Sequence, residues 1–144
     1  MIAAAAVAMM FAAKADVAWT TWMENSSKKA DISFGIATKC ASVETFELSL
    51  LYSGSPVQHG VQWSFFGIND ADKAQVLQLS WWFNRGDDAC VQLGCVNICD
   101  KNIFNLGLVN VANQSKVQLG FLNFNKNGLL PVFPFINLDK SLFD

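Results

Sequence analysis

The sequence predicts an all-β domain made of about eight short, repeated strands. Three observations carry that expectation: a motif that recurs at near-constant spacing, period-2 alternation within each copy, and turn-forming residues between copies. The clearest copy is Val91-Gln92-Leu93-Gly94-Cys95-Val96-Asn97. It returns as Phe104-Asn105-Leu106-Gly107-Leu108-Val109-Asn110 and as Val117-Gln118-Leu119-Gly120-Phe121-Leu122-Asn123. Looser copies begin at Val17, Ile32, Phe46, Val61 and Leu77, so successive steps are 15, 14, 15, 16, 14, 13 and 13 residues.

The chain opens with an apolar run, Met1 to Ala13, followed by Lys14-Ala15-Asp16. The run has the length of a signal-peptide core, and Ala13-Lys14-Ala15 fits a small-x-small cleavage site. Residues 1–15 are therefore expected to be a signal peptide, cut before Asp16, and an Ala-rich helix packed on the domain is the alternative. The basic n-region is missing, so the start is expected to lie a few residues upstream. Loss of Lys14 with no acid takes the chain from 10 basic and 12 acidic residues to 9 and 12, net −3.

Within each copy the first, third and fifth residues share one face of a strand. That face is apolar: Ile32, Phe34, Ile36; Val61, Trp63, Phe65; Leu77, Leu79, Trp81; Val117, Leu119, Phe121. The opposite face holds Glu47, Gln62, Gln78, Gln92, Asn105 and Gln118, then Ser49, Ser64, Ser80, Gly94, Gly107 and Gly120. β-Branched and aromatic residues favour strands, and no sustained helical period follows the leader. Ser53-Gly54-Ser55-Pro56, Asn69-Asp70-Ala71-Asp72, Asn84-Arg85-Gly86-Asp87-Asp88 and Asn113-Gln114-Ser115 read as turns, as does Glu24-Asn25-Ser26-Ser27. Strands of about 7 to 10 residues are expected between them.

Two arrangements suit these strands. The leading expectation is a small antiparallel barrel or meander, apolar side out, of the kind that crosses an outer membrane. Against it, the sixth position is also apolar (Phe66, Trp82, Val96, Val109, Leu122) and the strands are short for a membrane. The alternative is a β-solenoid with one unit per turn, which would stack Gln62, Gln78, Gln92 and Gln118 in a ladder and apolar residues in interior stacks. Drifting unit length and a single clear strand per unit count against that one. A soluble sandwich ranks third. Residues 16–144 form a single domain in any of these readings. Within it, residues 127–144, with Pro131 and Pro134, read as an edge strand or terminal cap.

The tandem units over residues 91–123, with Leu129-Leu130-Pro131-Val132-Phe133-Pro134-Phe135-Ile136-Asn137 after them, resemble the bacterial surface-repeat protein family. That family has G-V-Q-L-G-L-V-N units and a closing L-P-x-F-P segment. The likeness covers roughly residues 89–138 and is looser before them, and this chain has fewer units. It implies an exported cell-envelope protein of bacterial type and brings no catalytic residues.

Composition narrows the chemistry further. With 52% hydrophobic and 15% charged residues and a net charge of −2, disorder and a nucleic-acid-binding face are both excluded. No catalytic residue, cofactor or metal ligand set is expected. His59 lacks a triad partner, Asp87 and Asp88 read as an exposed turn, and no C-x-x-C accompanies the single His. Cys95 reads as a small hydrophobe. Cys90 and Cys99 flank one strand, about 30 Å apart if it is extended, and Cys40 reaches either only if the turns are neighbours. Glu47 faces inward and needs a partner, with Lys39, Arg85 and the Gln row as the available ones. The expected function is therefore a non-enzymatic exported protein at the outer membrane or cell surface, structural or adhesive, meeting membrane lipid through its apolar face or binding a protein or surface ligand. A soluble periplasmic or secreted module for an apolar ligand or partner protein is the alternative.

Overall fold

A computed structural model describes residues 16–23 and 27–143, so the expected signal peptide and most of the Glu24-Asn25-Ser26-Ser27 turn lie outside the described residues. Ten strands follow one another: β1 (Val17–Trp22), β2 (Lys29–Thr38), β3 (Ser42–Ser53), β4 (Val57–Gln58), β5 (Val61–Ser64), β6 (Ile68–Ser80), β7 (Phe83–Leu93), β8 (Val96–Leu106), β9 (Val109–Asn125) and β10 (Val132–Leu138). A 3₁₀ turn at Lys140–Leu142 ends the described chain. All belong to one sheet, ordered β1-β2-β3-β4-β6-β7-β8-β9-β10, with β5 set between β3 and β6. Every pairing from β1 to β9 is parallel, and the path does not close on itself. The all-β expectation holds, and its arrangement is the β-solenoid rather than the antiparallel barrel. The reason lies in the repeat. Each unit is one turn, and parallel stacking sets each residue type on its own kind one turn away.

The register makes this explicit. Val61, Leu77, Val91, Phe104 and Val117 are successive partners, and so are Gln62, Gln78, Gln92, Asn105 and Gln118. Beyond the corner the stacking resumes with Ile68, Phe83, Val96 and Val109, then with Asn69, Asn84, Asn97 and Asn110. A third short segment stacks Lys73 on Asp88 and Lys101, and Ala74 on Ala89 and Asn102. One turn thus contains three paired segments, for example residues 91–93, 96–99 and 101–102. Stretches expected to be turns, Asn69-Asp70-Ala71-Asp72 and Asn84-Arg85-Gly86-Asp87-Asp88, lie inside β6 and β7. Asn113-Gln114-Ser115 lies inside β9, which runs for 17 residues.

The drift in unit length is taken up at bends. Between the first and second segments the chain spends Leu50-Leu51, then Phe65-Phe66-Gly67, then Trp81-Trp82, but only Cys95, Leu108 or Phe121 in the later turns. The apolar sixth position is part of this bend or the start of the next segment. Phe66 and Trp82 there are exposed rather than interior.

The interior is polar. Its largest fully buried side chains are Gln58, Gln62, Gln78, Gln92, Gln118, Glu47, Val43 and a row of asparagines, and its buried apolar residues are mostly alanines. The apolar interior stacks of the solenoid expectation form only from small residues, as in Ala74 on Ala89 and Ala30 on Val43, while the large apolar side chains stay outside. Such an interior is stable because an amide can satisfy itself between turns. Asn84 Nδ2 donates to Asn97 Oδ1 at 2.8 Å and to the Leu93 carbonyl at 2.7 Å, and Asn97 and Asn110 repeat the pattern one turn on each time. In the glutamine row Gln92 Nε2 donates to Gln78 Oε1 at 2.7 Å, and Gln78 Nε2 to Gln62 Oε1 at 2.8 Å. The asparagine donors thus point towards the C-terminal end and the glutamine donors towards the N-terminal end. Each well-formed step contributes about 0.5–1.5 kcal/mol, and each orphaned amide costs more.

Close approach explains the glycine row. A Cβ on Gly107 would collide with the Gly94 carbonyl and come within 2.6 Å of Asn97 Nδ2, and Gly120 meets the same obstruction one turn later. The serines at Ser49, Ser64 and Ser80 belong to turns with longer bends. The solenoid ends where β10 pairs antiparallel with β9, with a register shift between Phe133 and Phe135 and a positive φ of 67° at Phe135. Asn137 lies opposite Gln118, and Asp139 caps the 3₁₀ turn by accepting from Ser141 N at 2.9 Å.

Two stability predictions follow from the ladders. Gly107→Ala forces Asn97 out of its row and should cost about 1–3 kcal/mol in thermal unfolding followed by circular dichroism. The glutamine ladder breaks at Asn105, one methylene too short, which leaves Gln92 Oε1 without a partner and turns Gln118 Nε2 to the Phe124 carbonyl. Asn102 fills the gap and donates to Asn105 Oδ1, at a position that the two preceding turns fill with Ala74 and Ala89. The double variant N102A/N105Q should therefore complete the ladder and stabilise by about 1–2 kcal/mol. N105Q alone, crowded by Asn102, should not stabilise.

Candidate functional site

Among the described residues, the ionisable and nucleophilic side chains are spread over the fold. His59 Nδ1 stands 3.9 Å from Glu44, both at least partly exposed. Asp87 and Asp88 are exposed on β7, and among the described residues no cluster of three His, Cys, Asp or Glu could hold a metal. All four cysteines are free. Cys99 is buried, and its burial pushes the thiol up to about 11, which leaves it protonated and inert at neutral pH.

The feature that organises the exterior is the distribution of charge. The segments 17–22, 32–37, 46–52, 61–68, 77–83, 91–96, 104–109, 117–122 and 132–138 contain one charged residue, Glu47, and it is buried. Stacked in register, they form a continuous uncharged panel along the solenoid, comprising the first segment, the bend and the start of the second segment. Its outward residues include Trp81 (66% exposed), Trp82 (62%) and Phe121 (66%). The remainder of each turn carries the charges, with Asp72, Lys73, Asp87, Asp88, Asp100 and Lys101 all exposed. At roughly 4.8 Å per turn, the panel runs the length of the fold.

The panel has relief. Near the N-terminal end a cleft of about 440 Å³ is lined by Trp19, Phe34, Leu48, Leu50 and Phe65 around Gly35 and Ser49. Farther along, Leu79, Leu93 and Leu106 form one wall and Trp81, Cys95 and Leu108 the other, over a floor of Ser80, Gly94 and Gly107. The small residues forced inward by the asparagine ladder thus also set the depth of this outer groove. Trp63 stacks on Phe65 with centroids 5.3 Å apart. Alternation alone identified the panel's residues as one face. That the face looks outward follows from the interior being too narrow for anything larger than an amide.

Glu47 is the single carboxylate inside the uncharged rows, at the head of the glutamine ladder. Its partner is the Gln row, not Lys39 or Arg85: Gln62 Nε2 donates to Oε2 at 3.0 Å and Ser55 Oγ to Oε1 at 2.7 Å. Burial raises its pKa, against the opposing effect of Ser55, Thr38 and Gln62 hydrogen bonds. A raised folded-state value means that Glu47 contributes stability that is complete below its unfolded value, near 4.5, and is lost as pH rises through the folded value. Glu47→Gln keeps an acceptor for Gln62 and abolishes the titration. The stability of the native chain relative to E47Q should therefore fall as pH rises above about 4.5, measured as a difference in melting temperature.

No protein-family model matches the chain, and neither a curated protein nor a solved structure matches it at a significant level.

Proposed function

We propose that the chain is a non-enzymatic, exported cell-envelope protein of the outer membrane or cell surface, whose structural or adhesive work is done by the uncharged panel. The observation that carries this reading is the inverted distribution of polarity. Amides fill the interior, large apolar side chains stand outside, and the charges lie on the rest of the circumference. An exposed apolar surface of this extent marks a site of contact with lipid or another macromolecule. The surface-repeat motifs and the signal-like segment 1–15 agree with export, and the scatter of ionisable groups agrees with a role other than catalysis.

The cleft bounded by Trp19, Phe34, Leu48 and Phe65 favours a second reading, a soluble exported module that holds an apolar ligand. Tryptophan fluorescence titrated with a series of fatty acids and alkyl ligands tests it, and an unchanged spectrum excludes it. For the envelope reading, the full chain expressed in a Gram-negative host should sediment with the envelope and enter the detergent-rich phase on phase partition. Recovery as a monodisperse protein in the detergent-free soluble fraction would overturn it.

A further inference from the structure

Resting on the envelope reading, we infer that the panel's partner is the interfacial region of a lipid bilayer, bound without regard to headgroup charge, with the solenoid axis lying along the membrane plane. Charge comes first in the argument. All nine stacked segments of the panel lack an outward charge, whereas the far side presents both signs in alternation, as in Lys73, Asp88 and Lys101 along one row. The molecule is amphipathic around its circumference, as an interfacial helix is, and its polar side offers an anionic surface no net attraction.

Shape is the second argument. Along the bend, successive turns present Leu50-Leu51, Phe65-Phe66, Trp81-Trp82, Cys95, Leu108 and Phe121. Neighbouring turns differ there by one to three residues and by side chains as unequal as Cys95 and Trp81. A rigid protein partner, a second copy included, would need a matching relief to avoid voids, and a void forfeits the contacts that drive association. Acyl chains and headgroups conform to any relief. Trp81 and Trp82, at 66% and 62% exposure, also have the amphipathic rings that collect at membrane interfaces.

The test uses the full chain with phosphatidylcholine vesicles. Flotation should be the same in about 0.05 M and about 0.5 M salt, and should not rise when anionic phosphatidylglycerol is added. Phosphatidylcholine brominated on its acyl chains should quench tryptophan fluorescence. The double variant W81K/W82K, and separately F121K towards the other end of the panel, should lower vesicle partition roughly tenfold or more with an unchanged circular dichroism spectrum. K101Q on the charged side should bind as the native chain does. Binding that needs anionic lipid and disappears in high salt would overturn the inference. So would a chain that fractionates with the envelope yet floats with no vesicle, a result that leaves the envelope reading standing and points to a protein partner. Lipid-independent self-association that shields the tryptophans would overturn it in favour of a second copy. A chain absent from the envelope removes both readings together.

Discussion

The interior width of a 13- to 16-residue turn is the constraint on which the rest of this molecule depends. A space that narrow holds an amide or a methyl group but no aromatic ring, so the large apolar residues must stand outside. Buried amides would ordinarily be a liability, because an orphaned donor or acceptor costs more than a hydrogen bond returns. Stacking in register offsets most of that liability by giving Asn69, Asn84, Asn97 and Asn110 the Oδ1 of the next turn and a backbone carbonyl as well. The glycines at positions 94, 107 and 120 and the alanines at 74 and 89 follow from the same restriction. The exterior is a consequence of what the interior cannot accept.

Much of this was legible in the chain. The unit boundaries, the glutamine row and the shared apolar face could all be read from residue type and spacing, because parallel stacking copies a sequence repeat directly into space. The asparagine row was legible only where Asn97, Asn110 and Asn123 close the three clearest copies, and not at Asn69 and Asn84. Asn, Asp and Gly are the usual residues of turns, and Asn69 to Asp72 has their composition without a strand's. Only the three-dimensional register shows that Asn69 donates to Asn84 at 2.8 Å and so belongs to a ladder. The barrel expectation failed at a similar point. Alternation defines two faces but is silent on whether neighbouring strands run parallel, and the bends that absorb 1 to 3 residues hid the regularity of the turn.

The candidate site was half legible in the same way. A run such as Leu77-Gln78-Leu79-Ser80-Trp81-Trp82 announces an uncharged strand, yet the absence of charge becomes a property of a surface only when nine such runs are stacked. Glu47 illustrates the converse. Its inward position could be read from alternation, whereas its partners, Ser55 and Gln62, come from the same turn and the next one and depend on the register.

The two amide ladders point in opposite directions, glutamine donors one way and asparagine donors the other. In an α-helix every peptide dipole adds to its neighbours, and the ends acquire partial charge that caps must neutralise. Here the side-chain dipoles of one column oppose those of the other, so a further turn adds little to the electrostatic load at either end. Such an array can gain or lose whole units without retuning its termini. That freedom suits a fold built from a tandem sequence repeat.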